Sequence, residues 1–333
     1  MPYRLSLLDK SAIPDGSNAA EALAQTVELA QRAEQLGYAR YWVAEHHGAP
    51  GLASSAPEVL IPYLLAKTNR IRIGSGGVML QHYAPYKVAE AFNVLSSLAP
   101  GRVDLGVGKA PGGLPFSTKA LRGGVNGGTK PSFDDQLSEL DAFLTGNLPS
   151  DHALAGTPAT PTPPTAPERF LLGAGDDSAA LAAKLGWQFV FAAHLNGDLD
   201  RIESAFNLYR KATGRTPLLA LFALAANTRE AAQRQVEGLR IFKVHLPTGQ
   251  SVNLPSLEAA AEFARQAGVA DYRTEENRPS ILAGSADDVR REFDRFHARL
   301  GVEEFIIDTP VAGFAERFAS IELLGAAERR AAA

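Results

Sequence analysis

Three ionisable side chains stand in a row at Glu45, His46 and His47, directly after the apolar run Trp42-Val43-Ala44. An imidazole titrates near neutrality, so a histidine here could take or give a proton at physiological pH. An acid beside two histidines could also hold a metal ion, or all three could satisfy backbone groups in a tight loop. Neighbouring residues on a strand point to opposite faces, so the three could meet one ion only if the chain turns. No H-x-H or H-E-x-x-H pattern elsewhere completes a metal set. Three other stretches could carry chemistry. In 71–90 (IRIGSGGVMLQHYAPYKVAE) an apolar run ends in Gly74-Ser75-Gly76-Gly77, with His82 in the following loop. Glycines at a strand end allow close approach of a flat ligand, or simply a bulge. In 101–113 (GRVDLGVGKAPGG) the run ends at Lys109, a cation suited to phosphate and equally at home in solvent. In 172–186 (LGAGDDSAALAAKLG) Gly175 and Ser178 open a helix whose free amides could bind phosphate. Asp176 or Asp177 could instead cap that helix, and turned inward both would repel a dianion. No Walker A, G-x-S-x-G or kinase signature is present.

The elements that must position these residues alternate. Apolar runs at 3–8, 40–44, 70–75, 103–108, 169–173, 188–193, 217–225 and 304–308 read as strands, several rich enough in Val, Ile, Leu and Phe to be buried on both faces. Helices are expected near 18–36, 57–67, 86–98, 133–145, 177–185, 198–213, 228–244, 286–300 and 312–327. Asn18, Asp198 and Ser285 are suited to start helices, and Gly37 and Gly186 to stop them. Eight strands with intervening helices fit an α/β fold, the (β/α)8 TIM barrel; a doubly wound sheet is the runner-up. Barrel active sites lie at the C-terminal ends of the strands, where Glu45, Gly76, Lys109 and Gly175 all fall. Residues 1–333 read as one barrel domain with a glycine-rich, lid-like insertion at 110–132 and a second insertion at 246–280 holding a short helix. The proline-rich run 155–167 reads as a stiff surface connector.

Composition narrows the field. The chain has 333 residues, 33 basic and 37 acidic, for a net charge of −4. That argues against a nucleic-acid binder working through a strong basic face. Apolar residues make up 45% and charged residues 21%, an ordinary globular balance. With no cysteine, disulfides, thiolate metal sites, iron–sulfur clusters and a cysteine nucleophile are excluded. Asp9 and Lys10 interrupt the N-terminal apolar run too early for a signal peptide, and no window is apolar enough to span a membrane, so a soluble, cytoplasmic protein is expected.

Four segments read together are more specific than any one: LGYARYWVAEHH (36–47), SSAPEVL (54–60), IRIGSGGVMLQHYAPYKVAEAFNVLSSLAPGRVDLGVGKAPGG (71–113) and FLLGAGDDSAALAAKLGWQFVFA (170–192). In this order and spacing the chain resembles the bacterial luciferase-like, flavin-dependent monooxygenase family. The resemblance implies a TIM barrel with insertions and a loosely held reduced FMN used as cosubstrate and supplied by a partner flavin reductase. It also implies O2 chemistry through a C4a-peroxyflavin on a small organic substrate, and a homodimer formed through helices 57–67 and 86–98. It assigns His46 as active-site base, with Glu45 a further catalytic-site residue that helps build the site floor. It sets Gly76–Gly77, a pair often joined by a cis peptide in the family, against the flavin ring. Lys109, in place of an arginine, and the Gly175–Ser178 turn would meet the flavin phosphate. Asp176 and Asp177 depart from the neutral residues common there. The family's light-emitting members carry a cysteine on the loop where this chain reads VGKA, so light is not implied. The remaining alternatives are an F420-dependent oxidoreductase on the same barrel, a non-catalytic flavin-binding protein, and a metal-dependent hydrolase using Glu45, His46 and His47.

Overall fold

A computed structural model describes residues 2–123, 131–194, 197–247, 249 and 251–331. Eight parallel strands close on themselves. They are β1 (Arg4–Asp9), β2 (Arg40–Val43), β3 (Arg72–Ser75), β5 (Val103–Gly108), β6 (Glu168–Gly173), β7 (Gln188–Ala192), β8 (Leu218–Ala226) and β13 (Glu304–Asp308). A two-residue strand, β4 (Val78–Met79), pairs with β5 beyond β3. Neighbours follow sequence order, and β13 pairs with both β8 and β1, so the ring of eight strands is closed. That closure gives the (β/α)8 barrel and excludes the doubly wound alternative. All eight apolar runs of the sequence become barrel strands. Their continuous hydrophobicity follows from burial on both faces, complete along β5 and β13.

The helices are α1 (Ala19–Leu36), α2 (Pro57–Lys67), α3 (Pro85–Leu98), α4 (Pro115–Arg122), α5 (Phe133–Thr145), α6 (Asp176–Leu185), α7 (Leu199–Thr213), α8 (Arg229–Val236), α9 (Leu257–Ala267), α10 (Ala286–Leu300) and α11 (Phe314–Ala331). Their starts are chemical. Asn18 accepts from the Glu21 amide at 3.1 Å, Asp198 from the Asp200 amide at 3.1 Å, and Ser285 forms a capping box with Asp288. Gly37 and Gly186 stop α1 and α6 in the left-handed conformation.

The two ends of the barrel differ. Arg40, at the start of β2, bonds Asp104 at 3.0 Å, Glu168 at 2.8 Å and Glu304 at 2.8 Å, all near the N-terminal ends of their strands. This ion network, buried except at Glu168, makes that end structural and leaves the C-terminal end as the place for a site.

One stretch departs from the sequence reading. Residues 228–244 are not one helix: α8 stops at Val236 and Ile241–His245 is a strand, β9. Gly238 follows that stop, and from Phe242 the apolar residues Phe242, Val244 and Leu246 alternate rather than recur every third or fourth position. β9 pairs antiparallel with β10 (Ser251–Leu254) and β11 (Arg273–Asn277) in a separate three-stranded sheet. The sequence reading anticipated α9 in this insertion but not the sheet, nor the strand β12 (Ile281–Ser285) that joins β8. In the other insertion, α4 occupies Pro115–Arg122, and residues 124–130 of the expected lid lie outside the described residues. The two insertions meet: the Phe116 amide donates to Gln266 Oε1 at 2.8 Å, and Leu114 packs into the small core beneath α9.

Candidate active site

The chain leaves β2 into Glu45, which is buried and saturated. Its Oε2 accepts from the Met79 amide at 3.0 Å. Its Oε1 accepts from the Tyr83 hydroxyl at 2.7 Å and lies 2.7 Å from His47 Nε2. Burial, together with Glu45, raises the Tyr83 pKa and keeps that hydroxyl a donor. Glu45 therefore ties the loops after β2 and β3 together, and His47 is spent on the same knot. His82 adds a tie to the next loop, its Nε2 lying 2.7 Å from the Pro111 carbonyl oxygen. Gly112 has a positive φ of 64°, and a Cβ there would meet the Glu45 carbonyl oxygen at 2.9 Å, so only glycine lets the 110–113 loop lie this close.

His46 turns the other way. Its amide donates to the Ser54 carbonyl at 2.9 Å, while its buried Nδ1 has no hydrogen-bond partner. Burial, helped by the positive charge of Lys10, pushes its pKa down to about 4, so the ring is neutral at pH 7. It lines a cavity of about 850 Å3 at the C-terminal mouth, together with Glu45, Gly76, Met79, Leu172 and Phe222. Gly76 forms part of the floor. A Cβ there would meet Leu8 Cδ1 at 2.7 Å, and one on Gly77 would meet the Gly106 carbonyl oxygen at 2.8 Å. The Gly76–Gly77 peptide is cis. Gly77 lies below the floor, packed on the β5 backbone, rather than facing the cavity.

Lys109, Gly175 and Ser178 come together in an adjoining cavity of about 610 Å3, above the start of α6. Gly175 is the N-cap of α6 and supplies no side chain to its first amides, which remain donors for an anion. Asp176, Asp177 and Asp200 line the same cavity, Asp176 accepting from Ser204 Oγ of α7 at 2.8 Å, so three carboxylates share it with Lys109 and Arg201. Ala174 and Arg201 line both cavities. The pair can thus take a flat group over the glycine floor and an anionic tail at the helix start. Arg201 was not singled out in the sequence; its one signal was its place in the first turn of the helix after β7.

Sequence reasoning also missed a cluster across the mouth. Lys10 Nζ lies 2.6 Å from Asp308 Oδ2 and 4.7 Å above the centre of the Phe222 ring. His194 Nε2 lies 3.6 Å from the same Asp308 oxygen, and burial lowers its pKa to about 4. Each of the three stands at or just past the C-terminal end of a barrel strand, which was the available signal. Among the described residues no group of three or more His, Asp or Glu is arranged to hold a metal ion. Among them too, no helix is long and apolar enough to cross a membrane.

Comparison with known proteins gives consistent matches along the chain. The luciferase-like monooxygenase family profile matches residues 3–321. A Bacillus subtilis protein named N-acetyl-S-alkylcysteine monooxygenase is 43% identical over 327 residues, covering 96% of this chain and 97% of that one. An Escherichia coli K12 luciferase-like monooxygenase is 33% identical, covering 96% and 95%. The crystal structure of apo-MsnO8 superposes with a TM-score of 0.77 at 32% identity, covering 98% of each chain.

Proposed function

The chain belongs to the luciferase-like monooxygenase family, and on that premise we propose that it is an FMN-dependent monooxygenase that oxidises a small organic substrate with O2. The observation that carries this reading is the pair of adjoining cavities. One is floored by a glycine and faced by His46; the other is built on uncapped helix amides with Lys109 and Arg201. These residues fit FMN: the bare glycine floor at Gly76 suits a flat ring, and Lys109, Arg201 and the helix amides suit its phosphate against the three carboxylates that share the cavity. When bound, reduced FMN supplies the two electrons that put one oxygen atom of O2 into the substrate and send the other out as water.

The protein's own share is binding, drying and proton handling. Gly76 gives the ring a flat floor. The loops held by Glu45 cover the site, which excludes water from a reaction that water would otherwise divert. His46 faces the cavity as a neutral imidazole, able to accept a proton from a reacting group and return it. The Bacillus subtilis relative's name makes N-acetylated S-alkylcysteines the first substrates to try. A separate flavin reductase would supply the reduced FMN, which suits a cytoplasmic setting. A homodimer through α2 and α3 is part of the same proposal, supported by the apolar side chains those helices expose.

The test is anaerobic titration with reduced FMN, then rapid mixing with O2 and N-acetyl-S-methylcysteine. Oxygenated product from the wild type is expected. His46→Ala should bind FMN nearly as well but form product about 100-fold more slowly, releasing peroxide instead. Unchanged product yield per reduced flavin in that variant would remove His46 from the chemistry. Binding of reduced F420 with none of FMN would overturn the cofactor.

A further inference from the structure

We infer that the insertion sheet over the barrel mouth is a substrate-recognition surface, and that Lys243 on it binds the carboxylate of a small organic monoanion. The inference rests on the monooxygenase reading and deepens it.

The sheet has two unlike faces. Along β9, Phe242 and Val244 alternate with Ile241, Lys243 and His245. Val244 packs with Val252 and Leu254 of β10 against Ala260 and Phe263 of α9, a small core that fixes the sheet in place. The opposite face lines the 850 Å3 cavity through Ile241, Lys243, Ser251, Asn253, Glu275 and Asn277. Strand register makes this face compact: Lys243 sits on the middle strand, directly opposite Asn253 on one side and Glu275 on the other.

Lys243 is half-buried, and among the described residues its ammonium has no hydrogen-bond or ion-pair partner. The carboxylate best placed to neutralise it is drawn elsewhere, with Glu275 Oε2 lying 3.4 Å from His245 Nε2. An ammonium that faces the cavity with no counter-charge of its own is free to pair with an anion that arrives with the ligand. That anion is not the flavin phosphate, whose cations line the adjoining cavity over α6, where Lys243 is not found. Glu275 beside Lys243 disfavours a dianion, which leaves a monoanion, and Asn253 and Asn277 offer amide partners to a polar group next to it. Elsewhere the cavity is charged at Lys10, Asp308, Arg201 and Arg278, and it is apolar at Met79, Leu172 and Phe222, which lie with Gly76 and His46 on its barrel side. A ligand of this shape has its carboxylate under the sheet and its apolar, oxidisable end towards His46.

The test is calorimetry on the full-length protein with excess oxidised FMN, using N-acetyl-S-methylcysteine and N-acetylmethionine, each as free acid and as methyl ester. The acids should bind about tenfold or more tightly than their esters, the usual range for a hydrogen bond between charged groups. Lys243→Gln should abolish the preference while leaving ester binding unchanged, which also shows that the variant is folded. Lys243→Arg should restore most of it. Equal binding of acid and ester, no binding of either acid, or a preference that survives Lys243→Gln would overturn the inference. The two readings fail separately. An acid preference that depends on Lys243, but no oxygenated product with reduced FMN and O2, sinks the monooxygenase reading alone. Oxygenation of acid and ester with equal efficiency sinks the anion site alone.

Discussion

His46 and His194 are neutral at pH 7 for the same reason: each is buried at the barrel mouth, where a positive charge is poorly solvated and Lys10 already stands nearby. This couples stability to pH. Free histidine titrates near 6.5, and both folded values are about 4. Between those limits the unfolded chain binds more protons than the folded one, so stability rises with pH across the window and falls as pH drops from 6.5 towards 4. The loss is on the order of 3 kcal/mol for each histidine acting alone. The melting temperature should therefore decline steadily over that interval, and the His46→Gln/His194→Gln double variant should show a shallower decline. An identical slope in both proteins would mean that other groups set it. At this scale the sequence was legible where ionisable residues are adjacent, as at Glu45-His46-His47. It was opaque where the fold assembles the cluster: Lys10, His194 and Asp308 are far apart in the chain and meet only when the barrel closes. Spacing could not assign the roles within the triplet either. Glu45 and His47 lock loops and His46 faces the cavity, a difference set by the turn after β2.

Elements decide what each glycine at the end of β3 does. The two neighbours look alike in sequence, but a Cβ on Gly77 would strike the backbone of Gly106, which belongs to a buried strand and cannot yield cheaply. A Cβ on Gly76 would strike the far end of the Leu8 side chain, which can rotate away at the expense of cavity floor, and would press on buried Trp42 at 3.2 Å. Gly77→Ala should thus lower stability by about 1–3 kcal/mol. Gly76→Ala should lower stability by less than Gly77→Ala, because Leu8 can yield where the Gly106 backbone cannot, but should weaken FMN binding. Thermal melts and fluorescence titration of both variants separate these effects; equal losses of stability in the two would refute the division. The same scale explains the misread insertion. The eight barrel strands announce themselves by continuous apolar runs, because helices cover them on one side and the packed interior on the other. β9 and β10 pack one face on α9 and β11 is exposed along nearly its whole length, while the other face of the sheet lines a polar cavity, so Lys243, Asn253 and Glu275 broke the runs that would have marked them as strands. The helix pattern of α8 then ran on unopposed into β9.

On the scale of the molecule, the barrel assigns stability to one end and chemistry to the other, and leaves one flank unaccounted for. On α2, Ile61, Leu64 and Leu65 are buried against the barrel, yet Val59 is 68% and Tyr63 54% exposed. On α3, Val88, Phe92 and Leu95 are buried while Val94 is 44% and Leu98 69% exposed. The two helices pack side by side, so these outward residues share one flank. The sequence showed that both helices are rich in apolar residues but could not divide core from surface, since one count served both. With the inward faces already satisfied, the outward set is surplus to the core, and burial against a second copy would remove it from water. Light scattering should then give about twice the 35.4 kDa chain mass. The Val59→Glu/Leu98→Glu variant should give a single chain mass and keep the far-ultraviolet dichroism of the wild type, because neither side chain supports the barrel. A monomeric wild type, or a double variant that remains dimeric, would show that the flank serves another purpose. Because α2 and α3 follow β2 and β3, a dimer formed here would brace the elements that carry Glu45, His46 and Gly76. Loss of the dimer should then lower the fraction of reduced flavin that ends in oxygenated product, even though the altered residues lie outside the cavity.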